Sequence, residues 1–270
     1  MRFFKIFPKP IIPKEHGAWG MLYVPFFSSF LLLKYIKIEY ILFFFLISLL
    51  FLSKEPLIAI MRLEKLKNIK SKNFYDAIYF LVFYFLLISF LSFLLIFIYG
   101  LKLLIYFGIV AFFLLIVYIY FVSKKKERTF MGEIFAITGL SLSAPAGYYS
   151  LTSSIDLKAI ILWIINGIFF ISSIFYVKLR VSFFIRNEEK IRKSKTLCLI
   201  YHLFLFLFIV SLIVSNKISY FVFFAFLPVI VRGIWPLIFE PSGFNIKKIG
   251  RTELIYSLIF VIFIGFVKIS

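Results

Sequence analysis

Apolar residues in this chain run in long stretches between clusters of charge, and nine stretches can be delimited, at about 17–33, 40–54, 74–99, 102–122, 131–151, 157–178, 195–214, 218–238 and 252–269. A hydrocarbon core of roughly 30 Å is crossed by about 20 apolar residues of helix. Backbone polar groups in lipid must be satisfied within a helix or a closed barrel, and these runs are too long and too unalternating for barrel strands. The pattern predicts an all-α, polytopic membrane helix bundle of nine transmembrane helices, a single integral membrane domain over 1–270 with 1–16 as a basic tail.

Composition agrees. The chain is 63% hydrophobic and 16% charged, against about 45–50% and about 25% in soluble domains, which excludes a water-soluble globular enzyme. Its charge is one-sided, with 31 Lys and Arg against 12 Asp and Glu. Threading the nine runs alternately through a bilayer places 25 of the 31 basic residues on one side. By the positive-inside rule that side is the cytoplasm, so the N-terminus is expected there and the C-terminus across the inner membrane. Anionic headgroups are the expected partner of the basic excess, and no basic–aromatic motif points to nucleic acid. Far-side connections around 34–39, 100–101, 152–156 and 215–217 are short, whereas 54–73, 179–194 and 239–251 have room for structure, so chemistry is expected on the cytoplasmic face. Met1–Pro13 is basic and broken by Pro8, Pro10 and Pro13, which reads as a segment lying along the headgroups and not as a cleavable signal.

Five segments interrupt the apolar pattern. In Pro13-Lys14-Glu15-His16-Gly17-Ala18-Trp19-Gly20-Met21, the apolar run from Ala18 to Leu33 has only 16 residues, about 24 Å of helix. The helix must therefore begin near Glu15 or His16, either as an N-terminal cap region or as a proton donor and anion ligand at the boundary. In Ser53-Lys54-Glu55-Pro56, the proline predicts a helix stop with Glu55 where the chain leaves the membrane. Gly132, Ala136, Gly139, Ser143 and Gly147 follow the basic Lys124–Arg128 stretch at helical spacing, one face for close packing. Glu133 among them is a costly boundary carboxylate expected to face a partner or a wet cavity. Asn166 falls near mid-membrane and needs an interhelical partner, while Tyr176, Lys178 and Arg180 either snorkel to the interface or point donors at an anion. Arg232, Glu240, Lys248, Arg251 and Glu253 flank the last basic loop, where pairing between Arg251, Glu253 and neighbouring charges is expected. His16 and His202 make no metal-binding pattern, Cys198 is the only cysteine, and there is no Gly-rich nucleotide loop or nucleophile elbow.

Pro13–Met21, Ser53–Pro56 and Asn166-Gly-Ile-Phe-Phe-Ile-Ser-Ser-Ile-Phe-Tyr176-Val-Lys178 resemble the YwiC-like family of bacterial membrane proteins over essentially the whole chain, a family without an established reaction. More distantly, nine helices with an internal N-terminus resemble the UbiA-type prenyltransferase superfamily. So does the junction of Tyr118 or Tyr120, basic residues through Arg128 and a small-residue helix. That resemblance implies a cytoplasm-facing cavity holding a polyprenyl diphosphate through Mg²⁺ on two Asp-rich motifs, in the second–third and sixth–seventh loops. This chain departs from it: its two aspartates are Asp76 and Asp156, and those loops offer only Glu55 with Glu64, and Glu188 with Glu189. Neither pair is an array for hard cations.

Two classes of function follow. In the first, an enzyme or lipid-binding protein of prenyltransferase-like architecture holds an isoprenoid or quinone-type lipid. Lys54, Arg128, Lys178, Arg180 and Arg251 surround its anionic head, with Asn166 and Tyr176 beside them. Glu15, His16 and Glu133 are the catalytic candidates, and Glu15, Glu55, Glu133 or Glu253 would bind Mg²⁺ or act as base. In the second, the protein is non-enzymatic, an assembly factor for a membrane complex or a carrier of a small anion or lipid. The carrier reading has little behind it: Glu-Pro at 55–56 and 240–241 is too short for a repeat, and Asn166 is the sole strong mid-membrane polar side chain.

Overall fold

In a computed structural model the described residues are 12–13, 16–66, 71–240, 243 and 245–269, excluding the side chains of His16 and Ile246. They form α1 (His16–Leu33), α2 (Ile38–Lys65), α3 (Lys72–Phe93), α4 (Leu104–Ser123), α5 (Phe130–Ser141), α6 (Ser143–Thr152), α7 (Leu157–Ile185), α8 (Glu188–Val214), α9 (Phe221–Ile238) and α10 (Ile246–Ile264). A π-helical turn, Leu94–Ile98, continues α3. Each of the nine apolar runs lies on helix, the fifth on two. Six helices are long and apolar enough to cross a bilayer: α2, α3 with its π turn, α4, α7, α8 and α9. Three runs fall short for separate reasons. The apolar part of α1 is only Gly17–Leu33; the fifth run breaks at Leu142; α10 opens with Lys247, Lys248, Arg251 and Glu253.

The break follows from sequence. Pro145 has no N–H to give the carbonyl of Ser141, so the ladder is interrupted where α5 gives way to α6. Ser143 Oγ instead donates to the carbonyl of Leu22 in α1, 2.7 Å away. The small residues do not share one face throughout: a Cβ on Gly139 would meet Leu114 of α4, whereas every residue from Ser143 to Leu151 is buried.

Two further boundaries differ from expectation. Helix α2 does not stop at Pro56 but runs through it to Lys65; the proline forfeits one hydrogen bond, and the turns on both sides keep theirs. Lys54 and Glu55 are therefore mid-helix. Helices α7 and α8 likewise extend past their apolar runs and leave only Arg186 and Asn187 between them. Arg186 takes a left-handed φ of 55°, and Asn187 Oδ1 caps α8 by accepting from Lys190 N. Glu188 and Glu189 in the first turn suit the positive end of that helix.

The chain forms two compact units. Of the described residues the first comprises 12–13, 16, 37–66 and 71–106; in it α2 packs along α3, with Tyr40, Phe43, Ile47 and Phe51 of α2 buried at spacings of three and four. The second comprises 17–36, 107–240, 243 and 245–269 of the described residues. Helix α7 is its hub, packing against α5, α6, α8 and α9, with α10 against α9. Phe169 of α7 stacks on Phe260 of α10 at 4.0 Å between ring centroids, and Phe226 of α9 sets its edge against both. Leu162, Ile165, Leu205, Val222 and Val229 complete the centre of this core.

Candidate functional site

Three helices of the second unit each bear a buried stripe that is apolar at one end and polar at the other. On α7 it runs Leu162, Asn166, Phe169, Ser172 and Ser173, Tyr176. On α9 it runs Val222, Phe226, Val229, Arg232 and Gly233, Pro236. On α10, Phe260 and Ser257 are buried, with Glu253 one turn before Ser257. Helical spacing of three and four thus turns Arg232 inward with the core residues of its own helix.

The polar ends meet in one network. Arg232 and Glu253, with side chains 3% and 19% exposed, form an ion pair through Nη1 and Oε2. Arg232 Nη2 donates to Ser172 Oγ at 2.9 Å, and Ser173 Oγ donates to Glu253 Oε2 at 2.6 Å. The guanidinium carbon lies 4.8 Å from the Tyr176 ring and 5.4 Å from that of Tyr256, so the cation is flanked by two π faces. Pro236 has no N–H to give the carbonyl of Arg232, one turn back. Among the described residues, Arg232 Nε and Glu253 Oε1 are buried without a hydrogen-bond partner. Three helices are thereby joined through a single buried cation.

Beside this network opens a cleft of about 740 Å³, lined by Tyr176 and Arg180 of α7, Arg232 and Trp235 of α9, and Lys248 and Tyr256 of α10, among others. One wall is apolar and outward-facing, with Val231 and Trp235 exposed. The other bears Arg180, whose Nη2 donates to the carbonyl of Gly243 at 2.9 Å, together with Lys248 and Asn245. Glu240 also lines the cleft, and its carboxylate lies 3.9 Å from Lys195 Nζ. An apolar wall next to a cationic one suits a molecule with a hydrocarbon part and an anionic part.

Within the second unit the described sequence candidates fall into separate clusters. Tyr176, Arg180 and Glu253 belong to the cleft and its network. Lys178 is about 200° around α7 from Tyr176 and from Arg180, at ~100° per residue, and serves a second cluster. There Lys178 Nζ pairs with Glu133 Oε2 at 2.8 Å and donates to the carbonyl of Arg128 at 2.9 Å. Thr129 caps α5 by accepting from Gly132 N, and a Cβ on Gly132 would sit 2.9 Å from the carbonyls of Lys126 and Glu127. Asn166 is fully buried and ties α7 to α1, its Nδ2 donating to Ser28 Oγ at 3.0 Å and to the Leu162 carbonyl at 2.8 Å. Lys54 and Glu55 lie 3.5 Å apart on α2 in the first unit. Arg251 is exposed on α10; two residues from Glu253, it points to another face, and Glu253 pairs with Arg232. Glu15 and the side chain of His16 lie outside the described residues.

Arg232, Ser172 and Ser173 stand among the polar residues that interrupt the apolar runs, but nothing in the sequence pairs them. The sequence marks Arg232 as the sole charge within 218–238, and an intramembrane arginine demands a partner. His202 is buried with Nδ1 at 2.7 Å from the Cys198 carbonyl, and Cys198 Sγ is 3.5 Å from the Gly233 carbonyl. Among the described residues no three of His, Cys, Asp and Glu converge. Glu253 is engaged by Arg232 and Ser173, and Glu133 by Lys178.

Long apolar helices joined by a buried polar network define a multi-pass helical membrane protein. Residues 12–148 match the family described as YwiC-like protein, and the chain belongs to that family. It is 27% identical over 257 residues to "Uncharacterized protein YwiC" of Bacillus subtilis (strain 168), covering 94% of this chain and 96% of that protein. The family match ends within α6, whereas the similarity to the Bacillus protein reaches the helices of the cleft. No solved structure matches the chain, and the comparisons do not show the resemblance to the UbiA-type superfamily.

Proposed function

We propose that this protein binds an amphiphile with an anionic head in the cleft formed by α7, α9 and α10. In this reading the nine apolar runs all cross the inner membrane, the fifth as the broken pair α5–α6. The N-terminus and the cleft face the cytoplasm, as the basic loops require. The observation that carries the reading is the pairing, in one cleft of about 740 Å³, of outward-facing Val231 and Trp235 with Arg180 and Lys248. The apolar wall takes a lipid chain, and the cations take its head by charge-assisted hydrogen bonds. Isoprenoid phosphates and anionic glycerolipids both belong to this class.

The test is lipid binding by the full chain in nanodiscs, read by native mass spectrometry. Wild type is expected to retain an anionic lipid over phosphatidylcholine, and Arg180→Gln with Lys248→Gln is expected to weaken retention about tenfold or more. Equal retention of anionic and zwitterionic lipid by wild type would overturn the proposal. Release of pyrophosphate from a polyprenyl diphosphate would extend it from binding to catalysis.

A further inference from the structure

The charges around the cleft carry the reading one step further, to the kind of anion; the step rests on the amphiphile reading above. Among the described residues three cations line the cleft, Arg180, Arg232 and Lys248. They do not count equally. Arg232 is neutralised from behind by Glu253, held by Ser172 and covered by the rings of Tyr176 and Tyr256. Glu253 itself does not line the cleft. Among the described residues the one carboxylate that does, Glu240, is 79% exposed and lies 3.9 Å from Lys195, a cation outside the cleft. Two cationic charges therefore remain uncompensated, those of Arg180 and Lys248. Arg180 is anchored by its bond to the Gly243 carbonyl and so presents its charge from a fixed position.

Two positive charges beside an apolar wall, one of them anchored, match a head with two negative charges better than one. We propose that the cleft selects lipids ending in a singly esterified phosphate group, a phosphomonoester or a diphosphate, over phosphodiester lipids, and that Glu253 sets this preference by holding Arg232 out of the charge balance. A phosphodiester head brings one negative charge and leaves one rim cation unmet. A terminal phosphate meets both and has oxygens free to accept from each. Converting Glu253 to a neutral side chain releases a third positive charge next to the cleft. The same terminal phosphate chemistry occurs in soluble phosphates, but these leave the wall of Val231 and Trp235 uncovered.

The experiment compares phosphatidic acid, phosphatidylglycerol and phosphatidylcholine in nanodiscs carrying the full chain, with inorganic phosphate as competitor. Wild type is expected to bind phosphatidic acid about tenfold more tightly than phosphatidylglycerol, from one added charge interaction near the protein surface. Lys248→Gln should erase that difference, and Glu253→Gln should strengthen both anionic lipids over wild type. Inorganic phosphate at millimolar concentration should not compete; if it displaces phosphatidic acid, the site is a phosphate site and the lipid assignment falls. Equal affinity of wild type for phosphatidic acid and phosphatidylglycerol, both above phosphatidylcholine, would overturn the selectivity while the amphiphile reading stood. An unchanged Glu253→Gln affinity in protein with a cooperative melt would overturn the part given to Glu253. Lys248 is exposed, so its variant reads the selectivity even where Glu253→Gln folds poorly.

Discussion

Replacing Glu253 by Ala leaves Arg232 as an unpaired cation inside the bundle. Removing one partner of a buried ion pair costs about 3–5 kcal/mol, because the other charge remains desolvated. Glu253 retains 19% exposure, so water reaches the vacated space and the lower end applies, about 3 kcal/mol. The Ser172 bond and the flanking rings of Tyr176 and Tyr256 survive in the variant and do not enter the difference. Arg232→Met removes the cation and leaves Glu253 with Ser173 alone, at a similar cost. The double variant removes both charges and substitutes apolar volume, so its loss should be well below the sum of the singles, giving a coupling of at least about 2 kcal/mol. The assay is a double-mutant cycle on reversible unfolding in mild detergent. Two single variants each within about 0.5 kcal/mol of wild type, or additive in combination, would refute the reasoning that this pair joins α7, α9 and α10.

Other outcomes follow from the packing. A Cβ at Gly233 would lie 2.1 Å from His202 Nε2; Gly233→Ala should destabilise by about 1–3 kcal/mol through overpacking, and His202→Ala should recover part of that loss, read by melting temperature. Asn166→Leu removes the amide bonds to Ser28 and Leu162 and should cost about 1–2 kcal/mol in the same assay; an unchanged melt would mean that the α1–α7 tie is not stabilising. Lys178→Met breaks the pair with Glu133, but both side chains are about a third exposed, so a loss of no more than about 1 kcal/mol is expected. A larger loss would show that this second cluster is shielded from water.

The helices were legible in the sequence because long apolar runs admit little else in lipid. Their ends were not. Pro56 resembles a stop, yet one lost hydrogen bond does not end a helix whose neighbouring turns are intact, and α2 continues to Lys65. The polar ends of α7 and α8 continue as helix because Asn187 can cap where apolarity has already ceased. Pairings were harder still. Arg251 and Glu253 are close in sequence but point to different faces, whereas Arg232 and Glu253 meet only because α9 packs on α10. Tyr176 and Arg180 shared a cluster with Lys178 on paper, and the turn of the helix sends Lys178 to Glu133 instead. Asn166, alone among apolar neighbours, did announce the need for a partner on another helix, and Ser28 supplies it.

The most direct test of the cleft as a lipid site is photocrosslinking in intact membranes with benzoylphenylalanine placed at Trp235, on the cleft wall, and at Phe204, an exposed position of α8. The account predicts that the Trp235 position captures lipids enriched in anionic phosphate heads relative to the bulk membrane, while the Phe204 position returns the bulk composition. The same lipid composition at both positions would contradict it.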